Sequence, residues 1–279
     1  MIHFLNAEGR YYAALPNVTS EYAGNGSSFF WREVWSHPGL DILGTPQFKF
    51  LPNFKNPCWY EPLVESNVYQ NNKFAVVSMN ARRSMMELME TWTDRLTKDK
   101  NAKRLRCLPY FMIVGQPKCA STDIYKKIMK HPDAVPPPIK ELHWWSRNRQ
   151  GRRINYTDII PLTQYIDMFD KAALYIEKRS EEMGEPDIDY HKIITGDGSV
   201  SVFWENDDWW HFPENQGHTE PRYTNADYIH HVIPNAKIIV SVRNPTDSLL
   251  VTHNISSVII SATMTYLLGP EIQLDKAFL

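Results

Sequence analysis

Residues 113–125 read IVGQPKCASTDIY, and this stretch narrows the fold more than any other in the chain. The apolar run from Tyr110 to Val114 ends at Gly115 and predicts a short strand. The segment STDIYKKIMKH sets Ile124, Tyr125, Ile128 and Met129 on one face and stops at Pro132, which predicts a helix. A strand, a small-residue loop over Gln116 to Ala120 and a helix in direct succession aim backbone N–H groups and a positive dipole end at an anion.

The nucleotide-triphosphate pattern G-x-x-x-x-G-K-[ST] is not met, because Ala120 stands at the second-glycine position and Lys118 precedes it within the turn. A lysine there, followed by Ser121 and Thr122, suits a diphosphate-like or phosphosulfate group. Lys118 is then placed to balance charge on a bridging oxygen as a bond breaks. The same residues also make an ordinary strand–turn–helix with a capping serine and a surface lysine, and the loop alone separates the two readings only slightly.

The surrounding pattern is that of an α/β protein. From Ala81 to about Arg106 the spacing of Met85, Leu88, Met89, Trp92 and Leu96 predicts an amphipathic helix. Ile166, Phe169, Ala173 and Ile176 predict a long helix over about Pro161 to Met183. A second strand is expected at Ile193 to Thr195. A helix ending near Pro234 leads to a third, Lys237 to Val242, which delivers Arg243 at its carboxyl end. Ligands of open α/β sheets bind at such strand ends, so Lys118, Asp197 and Arg243 are expected to converge on one crevice. Residues 1–80, rich in Asn, Pro, Gly and aromatic residues, read as an irregular region packed against this domain.

KELHWW, residues 140–145, supplies the acid–base candidates. In an extended segment Glu141 and His143 share a face, and a carboxylate shielded by the rings of Trp144 and Trp145 has its pKa raised toward neutrality, as a general base requires. A structural ion pair is the alternative. Lys140, Arg147 and Arg149, with Arg152 and Arg153 beyond, form a basic run that beside two Trp suits an anionic sugar chain, although a solvated loop is the usual role of such a run. H-E-x-x-H, C-x-x-C and G-x-S-x-G motifs are lacking, and His230 and His231 diverge on a helix, so no metal site is expected.

Net charge is −2, so an acidic partner must be held by a local patch and no nucleic-acid partner is expected. Of three cysteines, Cys58 and Cys107 are the expected bridge. Asn17, Asn25, Asn155 and Asn254 open glycosylation triplets. The apolar stretch Ile255 to Gly269 is shorter than the about 20 residues that span a bilayer. The chain reads as soluble, with any membrane attachment lying in a segment outside it.

Taken in order, PKCASTDIY, KELHWW, GDGSVS and IIVSVRNP, with NFKNPCWYE and RCLPYFMIVGQPKC before them, resemble the Golgi carbohydrate sulfotransferases, over roughly residues 50–248. The resemblance is to the type that acts on the 6-hydroxyl of N-acetylgalactosamine 4-sulfate in chondroitin or dermatan sulfate. It implies a P-loop-like sulfotransferase fold, with a central parallel sheet flanked by helices over residues 106–279 and an irregular extension over 1–105. It also implies 3′-phosphoadenosine 5′-phosphosulfate (PAPS) as co-substrate without an obligatory metal, a glycosaminoglycan acceptor, and the Golgi lumen.

By that resemblance Lys118, Cys119, Ala120, Ser121 and Thr122 hold the 5′-phosphosulfate, and Arg243, with Ser248 near it, holds the 3′-phosphate. Glu141 is the base, His143 supports it or the acceptor, and Lys140, Trp144, Trp145, Arg147 and Arg149 face the glycan. Three departures stand out. Ala120 replaces the family's usual glycine, where a positive φ is expected. Asp197-Gly198-Ser199 lacks the lysine of heparan-type relatives. Val251 takes the place of a serine expected after Arg243, and the resemblance fades from about residue 247. These departures predict weakened transfer, and a non-catalytic chain that binds donor or glycan is the alternative. A nucleotide kinase is disfavoured by the misplaced lysine.

Overall fold

Phe111–Ile113 (β3) is buried along its whole length because it has parallel neighbours on both edges and side chains packed on both faces. The computed structural model describes residues 42–149, 160–182, 190–206 and 209–244. In it β3 is the centre of a three-stranded parallel sheet between Gly196–Asp197 (β4) and Lys237–Ile239 (β5). Phe111 and Ile113 pack with Tyr125 of Ser121–Ile128 (α3), while Met112 and Val114 enter the main core on the opposite face. That two-sided burial is why the strand reads as a continuous apolar run rather than an alternating one. The ladder at β4 starts just past the expected Ile193 to Thr195, where Ile194 makes only an isolated bridge to Ala134. At β5 it closes at Ile239, short of Val242.

A second, antiparallel sheet pairs Cys58–Pro62 (β1) with Lys103–Cys107 (β2), and the bridge Cys58–Cys107 joins a residue pair directly opposite in register. Met79–Lys98 (α2) is capped by Ser78, whose side chain accepts from the Ala81 amide at 3.3 Å, and it buries Ala81, Met85, Leu88 and Trp92. It follows the short helix Lys73–Val77 (α1). The helix expected to run on to Arg106 stops at Lys98, because Asp99 turns the chain by accepting from Asn101 and the next segment pairs with β1.

The long helix expected over 161–183 is broken into Leu162–Asp167 (α4) and Asp170–Glu182 (α5). The break turns both Asp167 and Asp170 onto the buried guanidinium of Arg106. Residue 105, drawn as the end of an N-terminal extension, lies inside β2. Buried side chains from Ile42, Leu63 and Trp92 to Trp145, Tyr165 and Ile233 form one apolar cluster across it. The last helix, Asn225–Val232 (α6), opens with a capping box of Thr224 and Asp227 and leads into β5. Among the described residues no helix is long and apolar enough to cross a membrane.

Candidate active site

The carboxyl ends of β3 and β5 are drawn together beyond the sheet. The Val114 amide donates to Ile239 O and the Gln116 amide to Ser241 O, each at 3.0 Å. A Cβ on Gly115 would lie 2.4 Å from the Ser241 backbone nitrogen, so only glycine admits this approach. The Ser241 hydroxyl donates to the Cys119 carbonyl and fixes the loop that follows.

Within that loop Lys118 (φ 64°) and Ala120 (φ 62°) both lie in the left-handed region. This conformation turns the chain into α3, whose first amides have no intrahelical acceptor and are therefore free for an anion. Ala120 occupies the conformation for which glycine is the usual residue. An L-residue there costs about 1–2 kcal/mol, and glycine's extra freedom in the unfolded chain returns about 0.5–1 kcal/mol. Ala120→Gly should therefore raise stability by about 0.5–1 kcal/mol. The measurement is urea unfolding, and an unchanged or lowered midpoint would show that the turn is not strained.

Pro117, Lys118, Ala120, Ser121, Thr122, Glu141 and Val200 line a pocket of about 340 Å³. Lys118 is exposed and among the described residues has no ion-pair partner. Cys119 is buried, which pushes its thiol up. Arg243, exposed at the end of the β5 segment, opposes that shift by its charge and by a backbone N–H to the sulfur. The loop residues and Arg243 thus meet at the strand ends. Ser248 lies outside the described residues, as do Arg152, Arg153 and the four glycosylation triplets.

Opposite the loop, Glu141 and His143 meet, but not through the extended backbone expected. His143 (φ 50°) turns the chain into a short π-helix, Trp144–Asn148. His143 Nε2 lies 3.3 Å from Glu141 Oε2, and its Nδ1 lies 2.6 Å from the Ser201 hydroxyl. An Nε2–H that donates to Glu141 leaves Nδ1 to accept from Ser201. The His143 amide donates to Ser199 Oγ at 2.8 Å, and Ser199 in turn donates to the buried Asp197, which also accepts from the Tyr165 hydroxyl at 3.1 Å. Asp197 is therefore a support beneath the site, not a wall of the crevice.

Glu141 has its pKa lowered to about 2, first by the hydrogen bond with His143 and then by Lys140, with burial opposing them. The rise toward neutrality expected from aromatic shielding is corrected: two cationic or donating neighbours outweigh desolvation.

Three glycan-facing assignments are corrected as well. Trp144 and Trp145 are both fully buried, with Trp144 donating from its ring N–H to Ile160 O at 2.8 Å and stacked on Tyr165. The π-helix swings both rings inward, so neither offers a face to a sugar. Arg149 is also fully buried, its guanidinium 3.7 Å from the Phe212 ring centre and 4.6 Å from that of Tyr228, and burial pulls it down to about 10. Arg147 is half-buried, but Glu205 accepts from its Nε at 2.6 Å and neutralises it. Lys140 bonds to two residues of the pocket lining, donating to Thr122 Oγ1 at 3.1 Å and to Glu141. Among the described residues no group of three His, Cys, Asp or Glu side chains could hold a metal ion.

Residues 109–259, more than half of the chain, match the profile described as the Sulfotransferase family. The chain belongs to the sulfotransferase family. The match runs past residue 247, where the quoted motifs stop. Among relatives of this sulfotransferase-family chain, carbohydrate sulfotransferase 15 of Mus musculus is 38% identical over 218 residues, covering 75% of this chain and 39% of the relative. The Homo sapiens protein of the same name is 37% identical over 209 residues, covering 72% and 37%. The chain thus spans about two fifths of the length of the curated relatives it matches. A solved sulfotransferase from Alicyclobacillus acidocaldarius is 24% identical, with a TM-score of 0.32 and coverage of 55% of this chain and 53% of that one.

Sequence reading missed Ser199, Ser201 and Tyr165, which hold His143 and Asp197. Nothing in the spacing of GDGSVS pairs it with His143.

Proposed function

We propose that this chain transfers a sulfuryl group from PAPS to the 6-hydroxyl of N-acetylgalactosamine 4-sulfate in chondroitin or dermatan sulfate. The observation that carries this reading is one pocket that brings together Lys118, which has no ion-pair partner among the described residues, a helix N-terminus, and Glu141, which is paired with His143.

The pocket takes the phosphosulfate end of the donor. Lys118 and the loop through Thr122 hold the 5′-phosphate, and Arg243 holds the 3′-phosphate, with Ser248 assigned beside it by the family resemblance. Glu141 takes the proton of the acceptor hydroxyl as its oxygen bonds to sulfur. The electron pair of the breaking sulfur–oxygen bond stays on the phosphate, where Lys118 stabilises it. His143, fixed by Ser199 and Ser201, orients the base. The names of the relatives support a carbohydrate acceptor, and the Cys58–Cys107 bridge supports an oxidising compartment, the Golgi lumen in this reading.

The test is transfer of radiolabelled sulfate from PAPS to chondroitin 4-sulfate, with unsulfated chondroitin alongside. Incorporation at the 6-position that depends on the 4-sulfate is the expected result. A folded chain that binds donor or glycan but transfers nothing overturns the enzyme reading.

A further inference from the structure

Bonded to two residues of the pocket lining is a cation to which the proposed chemistry assigns no role. Lys140 Nζ donates at once to Thr122 Oγ1, in the first turn of α3, and to Glu141 Oε1. It thereby spans the pocket from the wall that holds phosphate to the wall that holds the base. In an in-line transfer the sulfonyl group lies between those two walls, because the leaving oxygen is at the loop and the attacking oxygen is at the base. The ammonium of Lys140 therefore occupies the path of the transferred group.

We infer that Lys140 is a donor-operated clasp: in the free chain it is held by Thr122 and Glu141, and with PAPS bound its ammonium moves onto the sulfonyl oxygens and releases Glu141 to act as base. This inference rests on the sulfuryl-transfer reading above.

Three observations support it. First, the stem of Lys140 is packed in place, while its tip is held only by side-chain hydrogen bonds to Thr122 and Glu141. A Cβ at Gly198 would sit 3.1 Å from both Cγ and Cε of Lys140, and the Gly198 amide donates to the Lys140 carbonyl at 2.9 Å. The Tyr125 ring lies 6.0 Å from Nζ on another side. The stem thus packs closely over Gly198, and the motion needed is a rotation of the terminal bonds. Second, the partner left behind gains function. Clasped by Lys140 and hydrogen-bonded by His143, Glu141 is too weak a base for work near neutral pH, and loss of one positive neighbour raises its proton affinity. Third, the ammonium has charged oxygens to move to: those of the sulfonyl group take the place of the Glu141 carboxylate and the neutral Thr122 hydroxyl.

The atoms balance without a further reagent. The acceptor oxygen bonds to sulfur, the bond from sulfur to the phosphate oxygen breaks with its electrons left on phosphate, and the hydroxyl proton passes to Glu141. Because binding couplings are reciprocal, PAPS and an acceptor that uses the freed Glu141 should each tighten the binding of the other.

The test compares PAPS with adenosine 3′,5′-bisphosphate, which carries the phosphates but lacks the sulfonyl group. Binding of each is measured by calorimetry to the full chain, to Lys140→Met and to Lys140→Arg, and the Glu141 carboxylate is titrated by carbon NMR, assigned through Glu141→Gln. Lys140→Met should weaken PAPS about tenfold and the bisphosphate hardly at all, with Lys140→Arg restoring most of the loss. In the unmutated chain PAPS, but not the bisphosphate, should raise the Glu141 midpoint by about one pH unit. Equal weakening of both ligands, or an unmoved Glu141 with PAPS bound, overturns the clasp. If Lys140→Met fails to fold, Lys140→Arg and the titration of the unmutated chain still decide. A chain that binds neither ligand sinks the transfer reading itself, a result distinct from failure of the clasp.

Discussion

Replacing Lys118 with alanine should reduce sulfuryl transfer by about 10²–10³-fold, the scale seen when one preorganised donor to a developing oxyanion is removed. Lys118 is exposed, lines the pocket and among the described residues has no competing ion pair, so its ammonium is free to meet the phosphate. Its left-handed backbone (φ 64°) sets its direction, and alanine can hold that backbone as lysine does, so the loop should survive the change. Charge on the bridging oxygen grows as the bond breaks, so the loss should fall mostly on kcat, with a smaller rise in the donor KM. Lys118→Arg should recover only part of the rate, because a planar fork does not replace a point charge at one oxygen. The measurement is initial rate against PAPS concentration at saturating acceptor. A Lys118→Ala chain within tenfold of the unmutated rate would remove Lys118 from the chemistry.

The loop side of this site was legible because it is local. Tyr110 to Val114, Gly115, the loop and STDIYKKI are consecutive, and each carries its own signal: an apolar run, a glycine at a close approach, a helix with one apolar face. Even the positive φ at position 120 was legible, as a place where glycine was missing. Glu141 and His143 were paired correctly for a reason that does not hold. Alternation along a strand was assumed, whereas a left-handed His143 and a π-helix bring them together. The same turn explains the failure with the tryptophans: a segment that coils rather than extends sent both rings into the core.

What lay beyond reading was long-range. Arg149 is enclosed by Phe212 and Tyr228, whose positions follow from tertiary packing, and a basic run in sequence gives no sign that one member is buried. Likewise the periodicity of residues 161–183 fits one helix well, because a break at 168 and 169 leaves the apolar positions nearly in phase. The cause of that break, a buried guanidinium on β2, is some 60 residues away, with separations of 61 and 64 to its two carboxylates.

That guanidinium makes the second large prediction. Arg106 is almost fully buried; it bonds Asp170 at 2.5 Å and Asp167 at 2.8 Å, and its Nε lies 3.3 Å from Glu61. Asp170 also accepts from Tyr69, whose oxygen accepts from Trp92 of α2, and Asp167 accepts from Asn72. Arg106→Leu would fill much of the volume but leave two buried carboxylates facing each other, with Arg104 reaching only Asp170, at 3.3 Å. Breaking a buried pair from one side costs about 3–5 kcal/mol, a large part of what holds most domains together. The pH dependence has a definite sign. Burial already raises both carboxyl groups above their ordinary values, and removal of Arg106 raises them further. The folded variant then binds protons more tightly than the unfolded chain. Its deficit relative to the unmutated protein is greatest above the variant's raised folded pKa values and shrinks as pH falls through them toward the lower values that the same carboxyls keep beside Arg106. Adding Asp170→Asn to Arg106→Leu should recover part of the loss at neutral pH, since one stranded charge is gone. Urea unfolding of the single and double variants at two pH values measures all of this. A single variant within about 1 kcal/mol of the unmutated chain, with no pH dependence of the difference, would mean that the network joining β1, β2 and α2 to the α4–α5 break contributes no more than a surface pair.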